Sequence, residues 1–134
     1  MIKVLIVDDN NQFRKSLIEF LAIDSTIDVV GQAEDGHQAL EKIRSLRPDM
    51  VLMDIKMKGM NGLNATERLK AEFPEIPVII LSRYDLIAYQ DAAEAAGAKA
   101  YIVKKSMADE LLPTIQRMMN NGHSQKNVDA NANR

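Results

Sequence analysis

Five short apolar runs at fairly even spacing limit the fold more than any other feature of this chain. They are Ile2–Val7, Asp28–Gly31 (flanked by Ile27 and containing Val29 and Val30), Met50–Met53, Val78–Leu81 and Ala100–Val103. Three are β-branched-rich and continuous rather than alternating, as expected of strands buried on both faces. Between them lie segments of helical period. Phe13, Leu17, Phe20 and Leu21 form one stripe, behind Asn10 or Asn11 as N-cap. Ala39, Leu40, Ile43 and Leu46 form a second, and Leu63, Thr66, Leu69 and Lys70 a third. Ala92, Ala93, Ala95 and Ala96 lie in a fourth, stopped by Gly97; Leu111, Leu112, Ile115 and Met118 form a fifth. Strands alternating with helices of this length predict βαβ units and a parallel sheet covered on both sides. Right-handed crossovers leave few topologies.

In open sheets of this kind ligands bind beyond the carboxyl ends of the strands, where strand order reverses. Asp8, Asp9, Asp54, Ser82 and Lys104 all fall at such ends. Three carboxylates brought together destabilise a fold unless a cation or a proton relieves them. A hard divalent cation such as Mg2+ suits the set, because it binds one or two carboxylates, keeps waters and recruits phosphate oxygens. A carboxylate can also act as a nucleophile towards phosphorus. The expectation is a Mg2+-dependent phosphate site centred on Asp54. Ser82 and Lys104 offer a hydroxyl and an ammonium to phosphoryl oxygens. Taken singly, each residue has a plainer reading: a helix cap for Asp8 or Asp9, a turn for Asp54, a cap for Ser82, a snorkelling surface cation for Lys104. Lys105 competes with Lys104, and strand alternation puts Ile102 and Lys104 on one side, Tyr101 and Val103 on the other.

Composition excludes several other classes. With no cysteine there is no disulfide, thiolate metal site or Cys nucleophile. A net charge of -2 gives no reason to expect direct nucleic-acid binding. No apolar run approaches the ~18 residues of a membrane span, and the start of the chain has no signal-peptide pattern. The expectation is a cytoplasmic chain of 134 residues with one core. His37 and His123 have no second ligand nearby, so neither is read as a metal site. Pro113 falls inside the last helix. Residues 120–134 show no apolar period and are read as a disordered tail or the start of a linker.

The set Asp8-Asp9, Asp54, Ser82, Tyr101 and Lys104 resembles the receiver domain of bacterial two-component response regulators. It is most similar to receivers of regulators with a LuxR-type (NarL/FixJ-like) DNA-binding domain. The stretches VLIVDDN, VVGQAEDGHQAL, RPDMVLMDIKM, VIILS and GAKAYIVKK carry the likeness, over residues 1–119. The resemblance implies a doubly wound, flavodoxin-like (βα)5 fold with a five-stranded parallel sheet of order 2-1-3-4-5. It implies phosphoryl transfer from a sensor histidine kinase to Asp54, with Mg2+ held by Asp8, Asp9, Asp54 and the backbone carbonyl of Lys56. Ser82 and Lys104 would contact the phosphoryl group, and Ser82 and Tyr101 would act as the switch pair. Such a domain is a phosphoacceptor rather than an enzyme. Its output would be transcription through a DNA-binding domain beyond this chain, with a phosphorylation-dependent homodimer; a stand-alone receiver acting on a protein partner is the alternative. Three positions depart from the family pattern. Lys58 stands where Pro is usual, Arg83 stands where a small residue is usual, and Lys56 lies where members tune the acyl phosphate. Two other classes fit less well. An aspartyl-phosphate phosphatase would carry an acid at the position of Lys56, and an FMN module would need a Gly-rich, hydroxyl-rich loop where Asp8-Asp9-Asn10-Asn11 stands.

Overall fold

The computed structural model describes the backbone of residues 1–132 and the side chains of residues 1–120. Its order is β1 (Ile2–Val7), α1 (Asn11–Leu21), β2 (Ile27–Ala33), α2 (Gly36–Leu46), β3 (Met50–Met53), α3 (Gly62–Glu72), β4 (Val78–Ser82), α4 (Ile87–Ala96), β5 (Ala100–Val103) and α5 (Met107–Ala132). The strands form one parallel sheet in the order β2-β1-β3-β4-β5, as expected. β2 is longer than the apolar run suggested, because pairing with β1 carries it on to Ala33. The register slips between Val4 and Leu5, so Val30 has no direct partner. Ser82 is the last residue of β4. Lys104 lies just past β5, at the start of a 3-10 turn over Lys104–Ser106. The tail or linker expected over 120–134 overlaps the far end of α5, which runs to Ala132, and the side chains of 121–134 lie outside this description.

The helices begin where short polar side chains satisfy their first free N–H groups. Asn10 accepts from the Phe13 N–H, Asp35 from Gln38 and Asn61 from Asn64. Gly97 closes α4 at φ 104°, a conformation that costs an L side chain free energy.

Alternation along each strand divides the core into two layers. Leu5, Val7, Val51, Met53, Val78 and Ile80 face α2, α3 and α4. Val4, Ile6, Met50, Leu52, Ile79, Leu81 and Ile102 face α1 and α5. Tyr101 packs with the first layer and Ile102 with the second, as the alternation required. Met50 and Met53 are core residues; Met57 and Met60 are partly buried against it. No helix among the described residues is long and apolar enough to cross a membrane.

Candidate functional site

β1 and β3 are neighbours, and the chain runs to opposite sides of this pair: β2 lies beyond β1, β4 and β5 beyond β3. This is the reversal point, and the residues after the two strands meet there. Carboxylate oxygens of Asp8, Asp9 and Asp54 all lie within 4.8 Å of one another. Asp8 and Asp54 are buried, and Asp9 is more open than either. Lys104 reaches in from the end of β5. Its Nζ donates to Asp8 Oδ2 at 2.8 Å and stands 3.9 Å from Asp54 Oδ1. The Lys104 ammonium thus reaches two of the three carboxylates, Asp8 and Asp54.

That imbalance shows in Asp54. Burial, then the neighbouring Asp8 carboxylate, push its pKa up to about 6, against the pull of Lys104 and of the Ile55 N–H donating to Oδ1 at 2.9 Å. The donor set fits a small hard cation. Oxygens around Mg2+ at ~2.1 Å sit no more than about 4.2 Å apart, so a slight inward movement of these carboxylates makes a ligand set. Their excess charge is what such an ion would relieve.

Ser82 is fully buried at the end of β4, and its Oγ accepts from the Tyr84 N–H at 3.1 Å. Tyr101 is partly buried and donates its hydroxyl to the Tyr84 carbonyl at 2.6 Å; burial pushes its phenol pKa up. Lys56 is exposed and its ammonium lies over tyrosine rings. Arg83, Lys58 and His37 are exposed.

Four contributors escaped the sequence reading. Phe13 was read only as core stripe, yet its ring lies 3.9 Å from Lys104 Nζ, and that face takes up part of the ammonium's charge. Arg14 gives no motif signal, but its guanidinium binds the Asp8 carbonyl, Asn11 Oδ1 and Gln32 Oε1, tying the acidic turn to β2. Gly62 lets the start of α3 abut the backbone of Asp54, and its N–H donates to the Ile55 carbonyl at 2.8 Å. Tyr84 offers its backbone to both Ser82 and Tyr101. For Gly62 the available hint was a glycine directly behind a capping Asn61; the others needed the fold.

Residues 4–116 match the sequence pattern of the response regulator receiver domain. The chain belongs to that family. This receiver is 39% identical over 122 residues to the response regulator protein VraR of Staphylococcus saprophyticus, covering 90% of this chain and 57% of VraR. It spans about half the length of the curated relatives it matches, including 51% of the transcriptional regulatory protein DegU of Brevibacillus brevis at 34% identity. Among solved structures, the response regulator domain of Thermotoga maritima CheB superposes at a TM-score of 0.83 with 33% identity, over 90% of this receiver and 97% of that domain. A LuxR-family two-component response regulator from Aurantimonas superposes at 0.85 with 26% identity, over 89% and 85%. The likeness to receivers of LuxR-type regulators, drawn from the motifs, holds, as do the flavodoxin-like fold and its strand order. The chain is a signalling domain of response regulators, not a member of the phosphatase or FMN classes weighed against it.

Proposed function

We propose that this receiver accepts a phosphoryl group on Asp54 from a sensor histidine kinase, in a Mg2+-dependent reaction, and switches conformation to control an output. The observation that carries this reading is the convergence of Asp8, Asp9, Asp54 and Lys104 at the reversal point of the sheet. Asp8, Asp9, Asp54 and the Lys56 carbonyl would hold the ion, which supplies charge neutralisation for the incoming phosphoryl oxygens. Asp54 Oδ attacks phosphorus of a phosphohistidine; the O–P bond forms, the N–P bond breaks, and the departing imidazole takes up a proton. Lys104, held between Asp8 and Asp54, needs only a short movement to pair with the phosphoryl group, and the Ser82 hydroxyl donates to it. Drawing Ser82 towards the phosphoryl group takes its hydroxyl away from the Tyr84 N–H. Tyr101, bonded to the carbonyl of the same residue, registers that change. The receiver unit is taken as residues 1–119, with 120–134 as tail or linker. VraR and DegU are roughly twice as long, and DegU is a transcriptional regulatory protein, which supports a transcriptional output; a DNA-binding domain outside these residues, a cytoplasmic setting and a phosphorylation-dependent homodimer belong to the same proposal. Arg83 at the site's mouth would then tune access.

Acetyl phosphate tests the chemistry. With Mg2+, intact mass should rise by one phosphoryl group in an acid-stable, base-labile linkage; without Mg2+ it should not. No gain from acetyl phosphate or from a kinase donor would refute the phosphoacceptor reading.

The metal claim has its own test. At about tenfold its dissociation constant, an ion that binds only the folded site adds ~1.4 kcal/mol. For a domain of this size that is a rise in Tm of about 5 °C. Asp8→Ala should lose most of that rise. A wild type unmoved by millimolar Mg2+ would remove the metal from the reading.

A further inference from the structure

Lys56 stands two residues after Asp54, yet its charge is already engaged elsewhere. Its Nζ lies 4.7 Å from the centre of the Tyr84 ring and 5.7 Å from that of Tyr89. Both distances fall inside the ~6 Å reach of a cation–π contact. The two rings stack at 5.0 Å with an interplanar angle of 24°, so one ammonium covers a double aromatic face. Its pKa is raised, first through the Tyr89 hydroxyl.

Tyr84 is the centre of this group. Its N–H donates to Ser82 Oγ, its carbonyl accepts from the Tyr101 hydroxyl, and its ring lies beneath Lys56 and against Tyr89. The link from β4 to α4 is only residues 83–86, and its far end is fastened by one long side-chain bond, from Gln90 Nε2 to Asp85 Oδ1 at 3.4 Å. Leu86, the N-cap of α4, makes no side-chain capping bond, and both Leu86 and Ile87 are exposed. Where a backbone carbonyl in such a link points depends on what pins the residue that carries it.

We propose that Lys56, Tyr84 and Tyr89 form a clasp that fixes the β4–α4 link with the Tyr84 carbonyl facing Tyr101, and so sets the balance between a Tyr101 that keeps this hydrogen bond (inward) and one that leaves it for solvent (outward). Its meaning as control of switching rests on the phosphoacceptor reading. The clasp itself acts in the unphosphorylated protein. Lys56 is therefore a positioning residue for the switch tyrosine, and its side chain need not touch the phosphoryl group to affect signalling.

The test uses the full chain, unphosphorylated and free of Mg2+, with 13C-labelled tyrosine. The Tyr101 ring signal is assigned by its disappearance in Tyr101→Phe, and its exposure is read as relaxation enhancement by a soluble paramagnetic probe. Lys56→Met keeps the stem and removes the charge; the outward population of Tyr101 should rise about two- to fivefold, the range for an exposed cation–π contact. Lys56→Arg should restore the wild-type value, because a guanidinium also stacks on rings. Tyr84→Leu should match Lys56→Met, and the double variant should add nothing further. No change in Lys56→Met, no rescue by Arg, or an additive double variant overturns the clasp. Since no phosphoryl donor is present, failure of Asp54 to accept a phosphoryl group would leave this result standing, and the reverse also holds.

Discussion

Asp54→Asn should abolish phosphoryl gain from acetyl phosphate and make the metal-free protein more stable at pH 8. The two effects have one cause. The carboxylate proposed to attack phosphorus is buried beside Asp8, and burial first, then the Asp8 charge, push its pKa up to about 6 from an ordinary 3.8, against the pull of Lys104. A carboxyl whose folded pKa is raised contributes its full stability below the unfolded value, and loses it as pH rises through the folded one. At pH 8 the wild type is therefore destabilised at this position, by at most ~3 kcal/mol for the full shift. Asn keeps the shape without the charge, so it should gain about 1–3 kcal/mol in urea unfolding at pH 8. The advantage should shrink as pH falls through 6 and be gone near pH 4, where Asp54 is neutral as well. Mg2+ should also narrow it, because the ion stabilises only the wild type strongly. A variant that is inactive but no more stable at pH 8 would mean that Asp54 is not strained in the folded state.

Gly62→Ala is the second large effect, and it acts through backbone alone. A Cβ on Gly62 would lie 1.8 Å from the Asp54 carbonyl oxygen, 2.8 Å from its carbonyl carbon and 3.0 Å from Ile55 Cα. None of these atoms can rotate away as a side chain would. α3 must retreat, giving up the bond from the Gly62 N–H to the Ile55 carbonyl. Overpacking and the lost bond together should cost about 2–4 kcal/mol. The retreat also shifts the segment that carries Asp54. A misplacement of about 1 Å at a reacting group can slow a reaction on the order of 100-fold, and the phosphorylation rate should fall accordingly. Stability within 0.5 kcal/mol of wild type and an unchanged rate would show that the contact yields freely.

Much of this was written in the sequence because the signals are local. Continuous β-branched runs announce buried parallel strands, and residues directly after them must lie at the sheet's edge, so Asp8, Asp54 and Ser82 could be placed without coordinates. Alternation put Lys104 and Lys105 on opposite sides, the family resemblance favoured Lys104, and the structure puts Lys104 on Asp8. What stayed hidden depends on where side chains from distant segments end. Phe13 reads as an apolar stripe whether or not a lysine lies on its ring. Arg14 reads as a polar position, although it ties the Asp8 carbonyl to Gln32. Lys56 lies where family members tune the acyl phosphate, and no local pattern could show two tyrosines, 28 and 33 positions along the chain, beneath it. The boundary of β2 was missed because pairing with β1, rather than hydrophobicity, sets where it stops.

The bond between Lys104 and Asp8 joins residues 96 positions apart. Of these five strands β1 is made before β5 and lies between β2 and β3, while the cation that pairs with its acid arrives with β5. A nascent chain halted before β5 would hold the acidic cluster without its lysine, and a prematurely terminated product would be a poor phosphoryl acceptor. On the phosphoacceptor reading, competence to accept a phosphoryl group would thus come only once β5 docks and brings Lys104 to Asp8.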